Sequence, residues 1–404
     1  MIEQQTNQNN VIRWLLIGFT IRLLLMLLIH FSEADVSMNL TKDAFLYDKV
    51  GREMGEYYAS GGSTSWPSRV TGFVDFGWEH FIGVVYYIIG YNPLAIKLCC
   101  VLAGALVPWA HYRAALIVTD DTKIALTVLI LSTFFPTQVY YSALMVRDSV
   151  SALSVSLLFL GLAQYIRRTT FFWWVTFFVG FFILTALRSY LASLLAIIIP
   201  ISFLITALVA KGGRTRVISG MVTLLFAVVG VVIFAPELVG ELDLQYTDIQ
   251  YVNKVRNKMN VGSGAMFANG SVTEVGAGLV DTISSFAVGL YFFFFSVNPT
   301  QISSIRQIMA LPEVFLVALG TYYSFRGSWT LWQERREIFL PLIIPTLVMT
   351  LGYSAATTNG GPLMRWRMQL LCVYLILAST GVVTSYRARH NLRFPTNQPQ
   401  RVGG

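Results

Sequence analysis

The sequence predicts an all-α, polytopic transmembrane helical bundle of about ten spans. Three observations carry this. Hydrophobic residues make up 55% of the 404 and charged residues only 12%, roughly half the charged share of an ordinary soluble chain. The apolar residues fall in unbroken blocks of about 17–25, the length that crosses ~30 Å of hydrocarbon as helix. Those blocks lack the strict alternation of a membrane barrel, and in lipid the backbone has no other way to satisfy itself than a barrel or a helix.

Taken in order, the expected spans are Val11–Phe31, Pro93–Val118, Ile124–Tyr141, Val150–Ile166, Phe171–Leu187, Tyr190–Ala210, Val217–Ala235, Met309–Phe325, Ile338–Tyr353 and Met368–Tyr386. The first has no small-residue cleavage site and reads as an anchor that stays. Trp78–Tyr91 is apolar but short and reads as an interfacial or half-inserted helix. Thr282–Val297 is ambiguous. Counting it as non-crossing keeps His111–Arg113, Lys123, Arg167–Arg168, Lys211–Arg216, Arg326–Arg336 and the tail arginines on one side, as the positive-inside rule requires. Residues 1–386 are then one membrane domain with both ends inside, and 387–404 a disordered basic tail. The net charge of +8 follows from those loops, so a nucleic-acid partner is not expected. Cys99, Cys100 and Cys372 lie in apolar runs and suggest neither a disulfide framework nor a metal site.

Two polar segments, 32–92 and 236–307, fall on the outer side. The first is acidic and contains Asp43–Tyr58, where Phe45, Leu46, Val50, Met54 and Tyr57 recur at helical spacing. A short helix lying on the membrane is expected there, broken by the Gly/Ser tract from Ser60 to Ser65. In the second, Asp243–Asn269 reads either as a mobile cover over a site or as a plain solvated loop.

The charges that break membrane rules are the informative ones. Arg22 lies mid-span, with helix–helix pairing as the plainer reading, and Lys97 sits near the outer start of a span, where snorkelling explains it equally well. Arg147, Asp148, Arg188, Arg365 and Arg367 all fall at outer span ends. Singly, each reads as an ion pair that steadies a loop. Gathered on one face, guanidinium forks suit a phosphate. Asp43 and Asp48 flank Tyr47. Each carboxylate reads as a helix cap or as a general base toward an acceptor hydroxyl or amine.

The stretch Lys42-Asp43-Ala44-Phe45-Leu46-Tyr47-Asp48, directly after the first span, resembles the first outer loop of GT-C-fold glycosyltransferases, in the protein mannosyltransferase and aminoarabinose transferase group. Gly83–Leu94, Phe135–Ser149 with its proline, serine and Arg147-Asp148 pair, and Arg365-Trp366-Arg367 are similar to later passages of that family. The likeness is best over residues 11–190, and the chain lacks the large C-terminal soluble domain of some members. The resemblance implies a sugar transferase of the cell envelope, active at the outer face of a prokaryotic inner membrane. Its partners would be a polyprenyl-phosphate sugar donor, a glycan, lipid or protein acceptor, and membrane lipids. Asp43, or Asp48, would be the base. Arg147, Arg188, Arg365 or Arg367 would meet the donor phosphate, with Asp148, Tyr47 and Lys97 beside them. Asp148 would orient Arg147 or hold a divalent cation, if one is used. Three rivals remain open: a polymerase or ligase of lipid-diphosphate-linked glycans, a transporter of lipid-linked sugars, and a non-catalytic assembly factor. The acid just after the first span speaks against the first, and the want of an internal repeat against the second.

Overall fold

A computed structural model of the chain describes residues 2–32, 42–62, 77–168, 172–209, 218, 221, 279–295, 305–357 and 360–390. Those residues are almost all helical, and none of them is in a strand. Almost all of the expected span 217–235, the whole of the expected cover 243–269 and the tail beyond residue 390 lie outside the described residues.

In chain order the helices are α1 (Ile2–Phe31), α2 (Lys42–Ala59), α3 (Gly77–Ile89), α4 (Pro93–Thr119), α5 (Thr122–Thr133), α6 (Pro136–Ser142) and α7 (Asp148–Arg168). They continue with α8 (Phe172–Leu187), α9 (Ser189–Val209), α10 (Leu279–Phe295), α11 (Ile305–Glu334), α12 (Arg336–Ala356) and α13 (Gly360–Arg389). Six of them are long and apolar enough to cross a membrane, within α1, α4, α7, α9, α12 and α13, or seven if the bent pair α5–α6 counts as one span. The helix α8 is shorter, at 16 residues, and α11 is not among the six. Against the expected tail, α13 stays helical through Arg389.

Lipid is the solvent that explains the surface. On α1, Leu16, Leu24, Leu28 and Phe31 are exposed, while Arg22, Met26 and Ile29 are buried. On α11, Phe315, Tyr322, Phe325 and Trp329 face outward. The opposite face of α11 meets α13 at backbone distance: a β-carbon on Gly327 would sit 1.9 Å from the Leu377 carbonyl oxygen, and one on Gly381 2.0 Å from that of Tyr323. Small residues allow this approach where no hydrophobic force drives helices together.

Ion pairs mark the two ends of the bundle. At the far end, the Asp120–Asp121 turn joins α4 to α5, with Asp120 in the left-handed region (φ 55°) and Asp121 capping α5 through the Lys123 and Ile124 N–H groups. Arg167 at the end of α7 pairs with Asp120, and Arg387 near the end of α13 pairs with Asp121. At the opposite end, called the site end below, α1 finishes beside the start of α4, with His30 Nδ1 3.2 Å from Lys97 Nζ. Here α7 and α13 begin and α8 passes into α9 at Arg188. His111, expected near a loop, is buried inside α4, its ring nitrogens 2.9 Å from Ser132 and Ser156.

The expected span 124–141 is broken. Pro136 offers no N–H and pushes Phe135 out of the helical region (φ −62°, ψ 117°), so α5 and α6 meet at a 52° bend. The break frees backbone groups inside the bundle, where each needs a partner. Arg22 Nη1 donates to the Thr133 carbonyl, and to that of Gly18, at 3.0 Å each. Glu313 accepts from the Thr137 N–H at 2.8 Å and from the Thr137 hydroxyl. Glu313 also pairs with Arg367, whose Nη1 donates to the Phe293 carbonyl (2.8 Å) and the Phe294 carbonyl at the end of α10. Buried charges thus satisfy these helix ends.

Candidate functional site

The site end gathers residues far apart in sequence. Helices α2 and α3 pack on each other there. The start of α2 carries Asp43, the start of α7 carries Asp148, the α8–α9 junction carries Arg188, and the first turns of α13 carry Arg365.

Asp148 organises the cluster. Its side chain is 0% exposed. One oxygen accepts from Arg188 Nη2 at 2.9 Å. The other accepts two bonds from Arg365, from Nε at 2.9 Å and Nη2 at 2.6 Å. Arg188 Nη1 donates onward to the Tyr190 hydroxyl at 2.8 Å. Arg365 reaches the other way as well: its Nη1 donates to Asp43 Oδ2. The Asp43 side chain is 44% exposed, so one guanidinium links a buried carboxylate to an accessible one. Beneath it lies the Tyr141 ring, 5.6 Å from the guanidinium carbon, a distance at which cation and ring attract.

Arg147 belongs to the same end. It donates to the Leu187 carbonyl at 2.8 Å and lies 5.9 Å from the centre of the Tyr47 ring. Burial pushes the Tyr47 phenol up to about 12, with Arg147 pulling the other way. Tyr47 therefore presents a neutral ring beside Arg147.

Asp48 sits differently from Asp43. It is buried, and each oxygen is taken by a tyrosine: Tyr86 donates at 2.6 Å and Tyr91 at 2.9 Å. Burial, and next the hydrogen bond to Asp48, raise the Tyr86 phenol. This trio ties α2 to α3 and to the turn before α4. Arg52 lies over the Tyr91 ring at 5.2 Å.

Of the residues singled out from sequence, the structure brings together Asp43, Tyr47, Arg147, Asp148, Arg188 and Arg365. Arg367 lies in the separate cluster with Glu313, and Lys97 lies beside His30. Sequence reading overlooked Tyr141 and Tyr190, both next to residues already singled out, and Glu313. A signal for Glu313 existed: it is the lone carboxylate of the apolar run Met309–Phe325. Asp48 was offered there as an alternative base, but its pairing with two tyrosines fits it for holding α2 and α3.

No group of three or more His, Cys, Asp or Glu side chains among the described residues is arranged to hold a metal ion. Between Asp43 and Asp148 the place of a cation is filled by Arg365, so these two carboxylates do not fit a divalent ion without displacing it. No family model matches the chain, and no curated protein matches its sequence.

Proposed function

We propose that the chain is a membrane glycosyltransferase that moves a sugar from a polyprenyl-phosphate donor to an acceptor hydroxyl or amine at the outer face of the membrane, in the making of a cell-envelope glycan or glycolipid. The observation that carries this is the sharing of Arg365 between buried Asp148 and accessible Asp43, with Arg188 held alongside. A guanidinium cluster at the end of a membrane bundle, with a carboxylate opening to solvent, supplies what such a transfer needs: a phosphate site and a base.

In the reaction, Asp43 takes the proton from the acceptor. The acceptor atom forms a bond to the anomeric carbon from the side opposite the phosphate. The carbon–oxygen bond to the phosphate breaks, its electron pair stays on the phosphate oxygen, and the configuration inverts. Arg365 and Arg188 stabilise the charge that develops on the leaving phosphate. The polyprenyl chain lies among the bundle's apolar faces.

The test is a panel of polyprenyl-phosphate sugars and acceptors offered to the purified protein, reading release of free polyprenyl phosphate. Turnover of at least one monophosphate donor is expected. Turnover only of lipid-diphosphate oligosaccharides, or donor movement across vesicles without chemistry, would replace this reading with one of its rivals.

A further inference from the structure

The two carboxylates on Arg365 are held unequally. Asp148 is 0% exposed, receives both Nε and Nη2 of Arg365, and receives Arg188 on its second oxygen. Removing a guanidinium from it would strand a buried charge, the costly outcome in any buried ion pair. Asp43 receives only Nη1 and is 44% exposed. Water solvates it readily if Arg365 lets go, and pairs open to solvent contribute little. Arg365 has a fixed side and a releasable side, and the releasable side holds the acid placed to act as base.

From this asymmetry, and resting on the transferase reading, we propose that Asp43 is masked by Arg365 until a lipid phosphate arrives. The phosphate takes Nη1 in place of Asp43, while Asp148, itself held by Arg188, keeps the guanidinium in position over the Tyr141 ring. The exchange is a swap of ion-pair partners, with no covalent bond made or broken. One anionic oxygen replaces another on Nη1, and the displaced carboxylate becomes free to accept a proton. The consequence is order: donor binding precedes base activation, so an acceptor meeting the enzyme alone finds no base. The base is thus exposed only together with the sugar to be transferred, because the phosphate that frees Asp43 arrives with that sugar.

The experiment uses the full chain in lipid nanodiscs, with a long-chain polyprenyl monophosphate as probe. An apolar carbodiimide modifies accessible carboxyl groups, and peptide mass spectrometry reads the extent at Asp43. Saturating polyprenyl phosphate is expected to raise Asp43 modification severalfold in the wild type, while buried Asp148 stays unmodified. Arg365→Gln should show the raised level without lipid and no further response to it. Arg188→Gln, which leaves the Arg365–Asp43 contact in place, should keep low modification without lipid, and this controls for general loosening. If the wild-type level is unmoved by polyprenyl phosphate in a preparation that turns over a sugar donor, the masking idea falls and the transferase reading stands. If the lipid changes nothing and no polyprenyl-phosphate sugar is consumed, both fall together.

Discussion

At the scale of single residues, the same side-chain type does different work according to what it touches. Asp43 and Asp48 are five positions apart on one helix, yet Asp48 has both oxygens bound by tyrosines and Asp43 shares one arginine at the protein surface. Asp43→Asn is therefore expected to lower kcat by roughly 10²–10⁴, the usual weight of a general base, and to leave the KM for donor within a few-fold. Steady-state kinetics check this, and a variant with wild-type kcat would move the base elsewhere. Histidine offers a pH test on the same pair of helices. Tyr58 Oη lies 2.8 Å from His80 Nδ1, and burial lowers the His80 pKa from its ordinary 6.5. A histidine kept neutral by the fold carries no penalty above its unfolded pKa. Stability is lost as pH falls below about 6.5, because the unfolded chain takes up the proton more readily. Protection of residues 42–62 against hydrogen exchange, corrected for the intrinsic pH dependence of amide exchange, should fall below that pH in the wild type, and that fall should vanish in His80→Gln.

Elements of this bundle owe their shape to caps as much as to apolar pattern. A continuous apolar run from residue 124 onward reads as one straight span, but Pro136 breaks it. The orphaned carbonyl and N–H then find Arg22 and Glu313. Arg367 balances Glu313 and closes the end of α10. These charges are costly in lipid, and here their partners are backbone groups that would otherwise be stranded. Glu313→Ala removes an acceptor from Thr137 and strands Arg367. Loss of one partner of a buried pair costs about 3–5 kcal/mol, so the detergent-solubilised protein should unfold at markedly lower temperature. An unchanged melting temperature would show that the Glu313–Arg367 contact contributes nothing.

Across the whole molecule, the start of α1 and the end of α13 lie together. The end of α1 meets the start of α4 at the site end, so the start of α1 points to the far end, where Arg387 near the end of α13 joins Asp121. Both of these helix ends are therefore opposite Asp43. Single cysteines at Asn9 and His390, on a Cys99→Ser background, should react with a membrane-impermeant maleimide from one side, and Ser60→Cys from the other. Cys100 and Cys372 are buried and should stay silent. Labelling of positions 9 and 390 from opposite sides would overturn this arrangement.

Sequence alone determined the class and much of the layout. Long apolar blocks with few charges admit only membrane helices, because lipid offers the backbone no partner. The spacing of Phe45, Val50, Met54 and Tyr57 located α2, the acids flanking Tyr47 named Asp43, and the misplaced charges named Arg147, Asp148, Arg188 and Arg365. Tertiary structure alone decided how those charges pair. Residues 43, 148, 188 and 365 meet only because four helix ends come together, and no local pattern encodes which guanidinium takes which carboxylate. Only the structure, too, separated Arg365 from Arg367. Two positions apart on one helix, they point to different neighbours, one to the carboxylates of the site and the other to the end of α10.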